Sequence, residues 1–337
     1  MNKVGMIRNF SQALSRCYST EVKPNMKLLK DLRKETEVSM SKAKEALVKN
    51  NNDYAKALAW LSEDAAVSGA KKAQKVAGRT AGEGLITTAS VQVPVLNGFK
   101  SKSTIIELNC ETDFVSRNDV FKNLASRIAA TSLLIHDHNH ANSQRLIQSI
   151  AVDDLLNAPL MPHPNDTELD TTEVGKTVKE TIVETIGKLG ENIALRRAAI
   201  VAEGISACYI HGGDANSGKM GGIAVLQPRK VVNEEEAANA LTKTARQVAR
   251  QVVGFNPTYL NTEDAPASEI TNLAEFEEAH VLNKQKYLLN PDITLAQHVE
   301  QTVDADIVDF IRWEVGEGIE KKENDFADEV LNAARGN

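Results

Sequence analysis

The sequence predicts an α+β protein: an N-terminal three-helix module, a linker, and two core subdomains with antiparallel sheets. Three observations carry this reading. Residues 26–65 place apolar side chains at helical spacing between polar turns. From Gly84 the pattern changes to β-branched runs, "GLITTASVQVPVL" and "STIIELNC", joined through Asn97 and Gly98 as in a hairpin. Helices and hairpins then follow without the strict alternation of a parallel β-α-β fold.

The first twenty residues, "MNKVGMIRNFSQALSRCYST", carry Lys3, Arg8 and Arg16, several serines and no acid, with Ile7, Phe10 and Leu14 at helical spacing. That is the composition of a mitochondrial transit peptide. "RCYS", Arg16 to Ser19, is similar to a matrix-peptidase site cutting after Tyr18, so residues 1–18 read as a leader and the mitochondrial matrix as the destination. Three basic and no acidic residues leave with it, which takes the formal charge from −7 to −10. A chain this acidic is a poor nonspecific binder of nucleic acid, whose phosphates demand a basic surface. No apolar run approaches the roughly 20 residues that span a bilayer.

Residues 19–65 form the helical module. Leu28, Leu29 and Leu32 mark its first helix; Met40, Ala43 and Leu47 mark the second; Asp53 caps a third bearing Tyr54, Leu58, Trp60 and Leu61. Asn50, Asn51 and Asn52 turn the chain between the last two. Forty residues make a marginal core, which suits a docking module attached to something larger. Residues 66–83, basic and rich in Gly and Ala, read as a short exposed helix plus linker.

Residues 84–204 form the first core subdomain: the hairpin, helical periodicity over 117–135 and 171–189, and a return to strand in "ENIALRRAAIVAEG". Residues 205–337 repeat the plan, with strands at 205–211 and 221–228, a helix from about Glu234 to Val253, further helices, the strand "DFIRWEV", and a closing helix bearing Phe326, Val330 and Ala334. Cys110 and Cys208 lie far apart in apolar runs, with neither a disulfide framework nor zinc spacing. Buried inert thiols are expected.

"HGGDANSGKMGG", His211 to Gly222, opens like a phosphate-cradling loop, with Gly213, Gly218 and Lys219 in place. Met220 stands where a hydroxyl should meet Mg²⁺, and a thioether does not ligate a hard cation. Strand-like residues flank the glycines on both sides, so a glycine-rich hairpin is the simpler reading and a nucleotide hydrolase the alternative. His136, His138 and His140, with His163 as a fourth ligand, have a metal-like composition. Their Asp-, Asn- and Pro-rich setting offers no rigid scaffold or second shell, so no metal and no cofactor is expected.

In "IIELNCETDFVSRNDVF" the strand ends near Cys110, and Ser116 followed by Asp119 reads as a capping box. That register pairs Val115 with Val120 as a hydrophobic staple and leaves Phe114 over, in an acidic tight turn beside Glu111, Thr112 and Asp113. Such a ring is either tucked under its own domain, as most Phe residues are, or offered to a partner as an interface anchor.

"CETDFVSRN", "GENIALRRAA", "YIHGG" and "FIRWEVGEGIEKKENDFADEV" closely resemble elongation factor Ts, the family of guanine-nucleotide exchange factors for elongation factor Tu. The likeness begins at "LLKDLRKETEVSMSKAKEAL" and runs to the C-terminus. The resemblance implies a ubiquitin-associated-like N-terminal module, a 1:1 heterodimer with elongation factor Tu, and no direct nucleic-acid or membrane contact. It implies partner contact by Thr112, Asp113, Phe114 and Val115, with Asp113 and Phe114 entering the G domain and the Phe lying near its Mg²⁺ site. It also implies contact by His211 and Gly212 near the partner's phosphate loop. A ubiquitin-binding adaptor built on the helical module is a third reading; the leader and the long second half count against it.

The chain departs from bacterial members of that family in three places. The loop after His211 is longer, Gln251 in "RQVVGFNP" stands where a His precedes a Val-Ala pair, and only "EFEEAHVLNKQKYLL" occupies the neighbourhood of a coiled-coil protrusion.

Overall fold

A computed structural model describes residues 22–36, 38, 40–96, 98–135, 145–163 and 175–319. The leader, Asn97, His136, His138, His140 and the closing helix lie outside the described residues. The chain divides into two compact units between Ala65 and Ala66.

In the first unit, α1 (Met26–Thr36), α2 (Met40–Lys49) and the start of α3 (Tyr54–Val76) surround Leu29, Leu32, Ala43, Ala46, Leu47, Ala57 and Leu61. Asn51 and Asn52 take left-handed backbone angles of φ 52° and 60° between α2 and α3, a conformation that Asn tolerates. Asp53 caps α3 by accepting the Lys56 N–H at 3.1 Å. Met40 is half exposed, because it opens α2 and lies beyond the core, and Ala46 takes the inward place instead.

The third helix does not end near Leu61. No proline interrupts "AAVSGAKKAQKV" and its single Gly69 costs only about 1 kcal/mol, so α3 runs on to Val76, which is buried. A Cβ on Gly69 would meet the Val183 carbonyl oxygen at 2.7 Å, so one side of this stretch packs closely, while Lys71, Lys72, Gln74 and Lys75 are exposed as expected.

After the end of α3 the second unit continues with the hairpin β1 (Glu83–Val95) and β2 (Gly98–Cys110). Then come α4 (Asp113–Ser116), α5 (Asp119–Ser132), β3 (Gln148–Ile150), α6 (Val152–Asn157), α7 (Val178–Leu189) and β4 (Ala194–Val201). Next are β5 (Ile205–His211), β6 (Ser217–Gly218), β7 (Met220–Pro228) and α8 (Glu235–Phe255). The chain continues through α9 (Leu273–His280), β8 (Lys286–Tyr287), β9 (Asn290–Thr294), α10 (Leu295–Val303) and β10 (Ala305–Glu314).

These strands form an antiparallel five-stranded sheet, β3-β4-β2-β1-β6, an antiparallel three-stranded sheet, β10-β7-β5, and the β8-β9 hairpin. Alternation along the strands explains how the two larger sheets stack. Leu85, Ile106, Leu108, Ala198 and Ile200 join Phe121, Leu124 and Ile128 of α5 and Ile182 and Ile186 of α7. Their neighbours Ile86, Ile105, Ala199 and Val201 face the opposite way and meet Cys208, Ile223, Val225 and Trp313 of the second sheet. The far face of that sheet, with Ile205, Ala224 and Leu226, is covered by α8 and α10 through Leu241, Ala245, Val248, Val252, Leu295 and Val299. The order is helices, sheet, sheet, helices, and each fully buried Ile or Leu contributes about 1.5–3 kcal/mol.

α8 carries its apolar residues three and four apart, and ends where Asn256 turns left-handed and its N–H reaches the Val252 carbonyl. α7 starts at Val178 rather than near residue 171, since Thr177 and Glu180 form a reciprocal capping box. β3, α6 and β6 are not foreshadowed by pattern. β6 is two residues long and is a strand through its pairing alone, Ile86 with Gly218 and Thr87 with Ser217, so the second sheet's hairpin supplies the first sheet's fifth strand.

Candidate functional site

The turn after β2 is built from backbone groups that need partners. Glu191 supplies most of them: its carboxylate accepts the Glu111 N–H at 3.2 Å, the Thr112 N–H at 3.0 Å and the Thr112 hydroxyl at 2.6 Å. Glu111 returns the bond by accepting the Asn192 N–H at 2.7 Å. Charge-assisted bonds of this kind are about twice as strong as neutral ones, so both ends of the turn are fixed.

Thr112, with extended backbone, then caps the one-turn helix α4, its oxygen accepting the Val115 N–H at 3.4 Å. A second cap, Asn118, starts α5 by accepting the Val120 N–H at 2.8 Å. The capping box read at Ser116 and Asp119 is therefore displaced. Ser116 is buried inside α4 and its hydroxyl donates to the Asp113 carbonyl at 2.9 Å, which leaves Asn118 to do the capping. The staple falls with that register, because Arg117 and Lys122 now flank the cap at the staple positions, and Val115 packs against the core instead.

Phe114 comes out of this turn 80% exposed. The ring is offered outward, not tucked under its domain. Beside it Asp113 pairs with Arg117 at 2.9 Å, one turn along. Beneath it Cys110 is fully buried, donates its S–H to the Thr112 carbonyl at 3.2 Å, and has its pKa pushed up to about 12 by burial and then by the Glu191 charge. Cys208 is likewise buried, and burial pushes its pKa up to about 11.

His211 ends β5, pairs with Met220 of β7 and is exposed, with the Tyr209 hydroxyl 3.4 Å from its Nδ1. Gly212 follows at φ 72° and turns the chain into the hairpin. The phosphate-loop alternative fails on geometry. A Cβ on Gly213 or Gly218 would strike backbone at 2.2 and 2.7 Å, so these glycines permit close packing of the hairpin, and β7 follows where a helix is needed. Lys219 points inward, donating to Glu83 at 2.9 Å, to the Gly84 carbonyl at 3.2 Å and to the Ser116 hydroxyl at 3.4 Å.

That lysine brings together the two segments that the sequence singles out separately. It joins the His211 hairpin to the Phe114 turn, and Lys122 of α5, the helix that follows the turn, pairs with Asp214 of the hairpin at 2.9 Å. Gln251 lies elsewhere: it is buried, and its amide donates to the Lys286 carbonyl at 3.0 Å and accepts the Leu288 N–H at 3.1 Å, anchoring the β8-β9 hairpin. Among the described residues no group of three His, Cys, Asp or Glu is placed to hold a metal ion.

Sequence reasoning missed the cluster around Glu107. This fully buried carboxylate takes Arg196 at 3.1 Å, Arg197 at 2.5 Å and the Gly316 N–H at 2.8 Å, while the Arg197 guanidinium lies 4.5 Å over the Trp313 ring. The signal was present, since a lone acid inside the apolar run "IIELNC" must find a partner. "ELNC", "ALRR" and "RWEVGEG" thus converge on one ion cluster.

A family model described as Elongation factor TS matches residues 111–280. The mitochondrial elongation factor Ts of Coprinopsis cinerea is 36% identical to this chain, over 98% of this chain and 97% of its own length. The elongation factor Ts of Brucella anthropi is 35% identical over 92% of this chain and 98% of its own. The mitochondrial elongation factor Ts of Heterostelium pallidum is 34% identical over 98% of this chain and 90% of its own.

Proposed function

The chain belongs to the elongation factor Ts family of translation elongation factors, and from that premise we propose that it binds elongation factor Tu carrying GDP and promotes GDP release. The observation that carries the reading is Phe114, an aromatic ring 80% exposed on a turn whose backbone Glu191 holds rigid. An exposed aromatic on a preorganised support loses little freedom on binding, which is what an interface anchor needs.

In this reading Asp113 and Phe114 enter the G domain, the ring beside the Mg²⁺ site, Thr112 and Val115 shape that contact, and His211 and Gly212 approach the partner's phosphate loop. The exchange makes and breaks no covalent bond. The factor favours a G-domain conformation with a disordered Mg²⁺ site, and linkage requires that factor and GDP weaken each other by the same ratio. Loss of the metal removes the main charge that neutralises the diphosphate, so GDP leaves and GTP reverses the sequence. The complex is a 1:1 heterodimer, and its place is the mitochondrial matrix, a reading supported by the basic leader and by the mitochondrial relatives.

The test is stopped-flow release of a fluorescent GDP analogue from elongation factor Tu on adding the purified chain. Acceleration in proportion to the chain's concentration is expected, with no GTP binding or phosphate release by the chain alone. GTP affinity that vanishes with Lys219→Ala would point back to a hydrolase.

A further inference from the structure

Lys219 lends "SGKMGG" its likeness to a phosphate loop, yet its bonds lie within the fold. An ammonium has three N–H donors, and here three acceptors meet them: the Glu83 carboxylate at 2.9 Å, the Gly84 carbonyl at 3.2 Å and the Ser116 hydroxyl at 3.4 Å. The Lys219 backbone N–H meanwhile donates to the His211 carbonyl at 3.2 Å. One residue is therefore bonded through its main chain to His211 and through its side chain to the turn that displays Phe114. The chain of bonds continues, because the Ser116 hydroxyl that accepts from Lys219 donates in turn to the Asp113 carbonyl at 2.9 Å, one residue from the ring. Linked donors and acceptors of this kind polarise and strengthen one another.

We propose that Lys219 is a positioning residue that fixes the His211 hairpin against the Phe114 turn, so that both reach the partner as one rigid element. The functional half of this proposal rests on the exchange reading above; the structural half does not. The gain would come from preorganisation, since two contacts on a common support share a single ordering cost where two loose loops have one each. Lys219 and Glu83 are each more than a third exposed, so the strut is not what holds the fold together. The Lys122 and Asp214 pair ties the same hairpin to α5, the helix that follows the turn, and moderates the loss when Lys219 is removed.

Two measurements on the full chain test this. The first needs no partner: hydrogen exchange of the free chain is compared for wild type, Lys219→Met and Lys219→Arg. The methionine variant should exchange several-fold faster over residues 112–118, keep the protection of α7 and α8, and melt near the wild-type temperature; the arginine variant should restore much of the protection. Unchanged exchange over residues 112–118 in the methionine variant overturns the proposal. The second measures GDP release from elongation factor Tu for Phe114→Ala, His211→Ala and the double variant, with Lys219 and with methionine in its place. With Lys219 present the double variant should depart from the product of the single effects by about fivefold, a coupling of about 1 kcal/mol. In the methionine background the departure should disappear. Simple multiplication of the effects with Lys219 present overturns the strut. A wild-type chain that fails to accelerate release instead overturns the exchange reading, and hydrogen exchange then decides the strut alone.

Discussion

Thr112 and Glu191, 79 residues apart in sequence, are joined twice, through the Thr112 N–H at 3.0 Å and its hydroxyl at 2.6 Å. A conservative change tests how far this clamp controls the ring two residues on. Glu191→Gln keeps the shape but turns one acceptor oxygen into a donor facing other donors. The interaction with elongation factor Tu should weaken by about 1–3 kcal/mol, the cost of spoiling a hydrogen bond to a charged group. GDP-release kinetics and a thermal melt give the comparison, and a melt that falls as far as the affinity would make Glu191 a stability residue only.

Phe114→Ala should cost about 2–4 kcal/mol of binding, the range of a central aromatic anchor, and leave the melting temperature unchanged because the ring is already in water. Asp113→Ala should cost less if the carboxylate only holds Arg117, and as much if its charge meets a buried donor of the partner. Titration calorimetry against elongation factor Tu separates these outcomes.

Glu107 offers a contrast, since it is fully buried and its bonds lie within the fold. Glu107→Leu removes the buried anion but leaves Arg197 paired with Glu317 and Arg196 bonded to the Glu317 carbonyl, so urea unfolding should show a loss of about 1–3 kcal/mol, most of it from the unpaired Gly316 N–H. Glu107→Gln, which keeps an acceptor for the Gly316 N–H, should lose less.

His298 sets a pH dependence. Its ring stacks on Tyr287 at 3.8 Å, and burial holds its pKa below the usual 6.5. Between the two values the unfolded chain binds more protons than the folded one, so this contribution is complete above about pH 6.5 and is lost as pH falls through that window. Melts from pH 7.5 to 5 should decline in the wild type and decline less with His298→Gln; parallel curves would remove His298 from the account.

The sheets were legible because their strands alternate between two buried faces, as at Leu85 and Ile86 or Ile105 and Ile106. Phe114 was legible as the leftover ring of a charged turn, though both of its possible orientations stood open until its exposure was seen. What stayed hidden depends on distance along the chain. Local pattern favoured Ser116 as the cap, but its hydroxyl donates to the Asp113 carbonyl inside α4 and also accepts from Lys219, 103 residues away, which leaves the capping to Asn118. "SG" carries no strand propensity at all, and becomes β6 solely because Ile86 and Thr87 present an edge to it.

That edge has a consequence in time. A chain made from its N-terminus completes β1 to β4 by Val201, but the outer strand of that sheet, at Ser217 and Gly218, is still to come. Until those residues arrive, Ile86 and Thr87 keep unpaired backbone groups, and the apolar face of Ile86, Ile105 and Val201 lacks its second sheet. A nascent fragment ending near residue 205 would thus be prone to edge-to-edge association. The first half is finished only by the second, and its β1 edge stays open until the His211 hairpin has joined it.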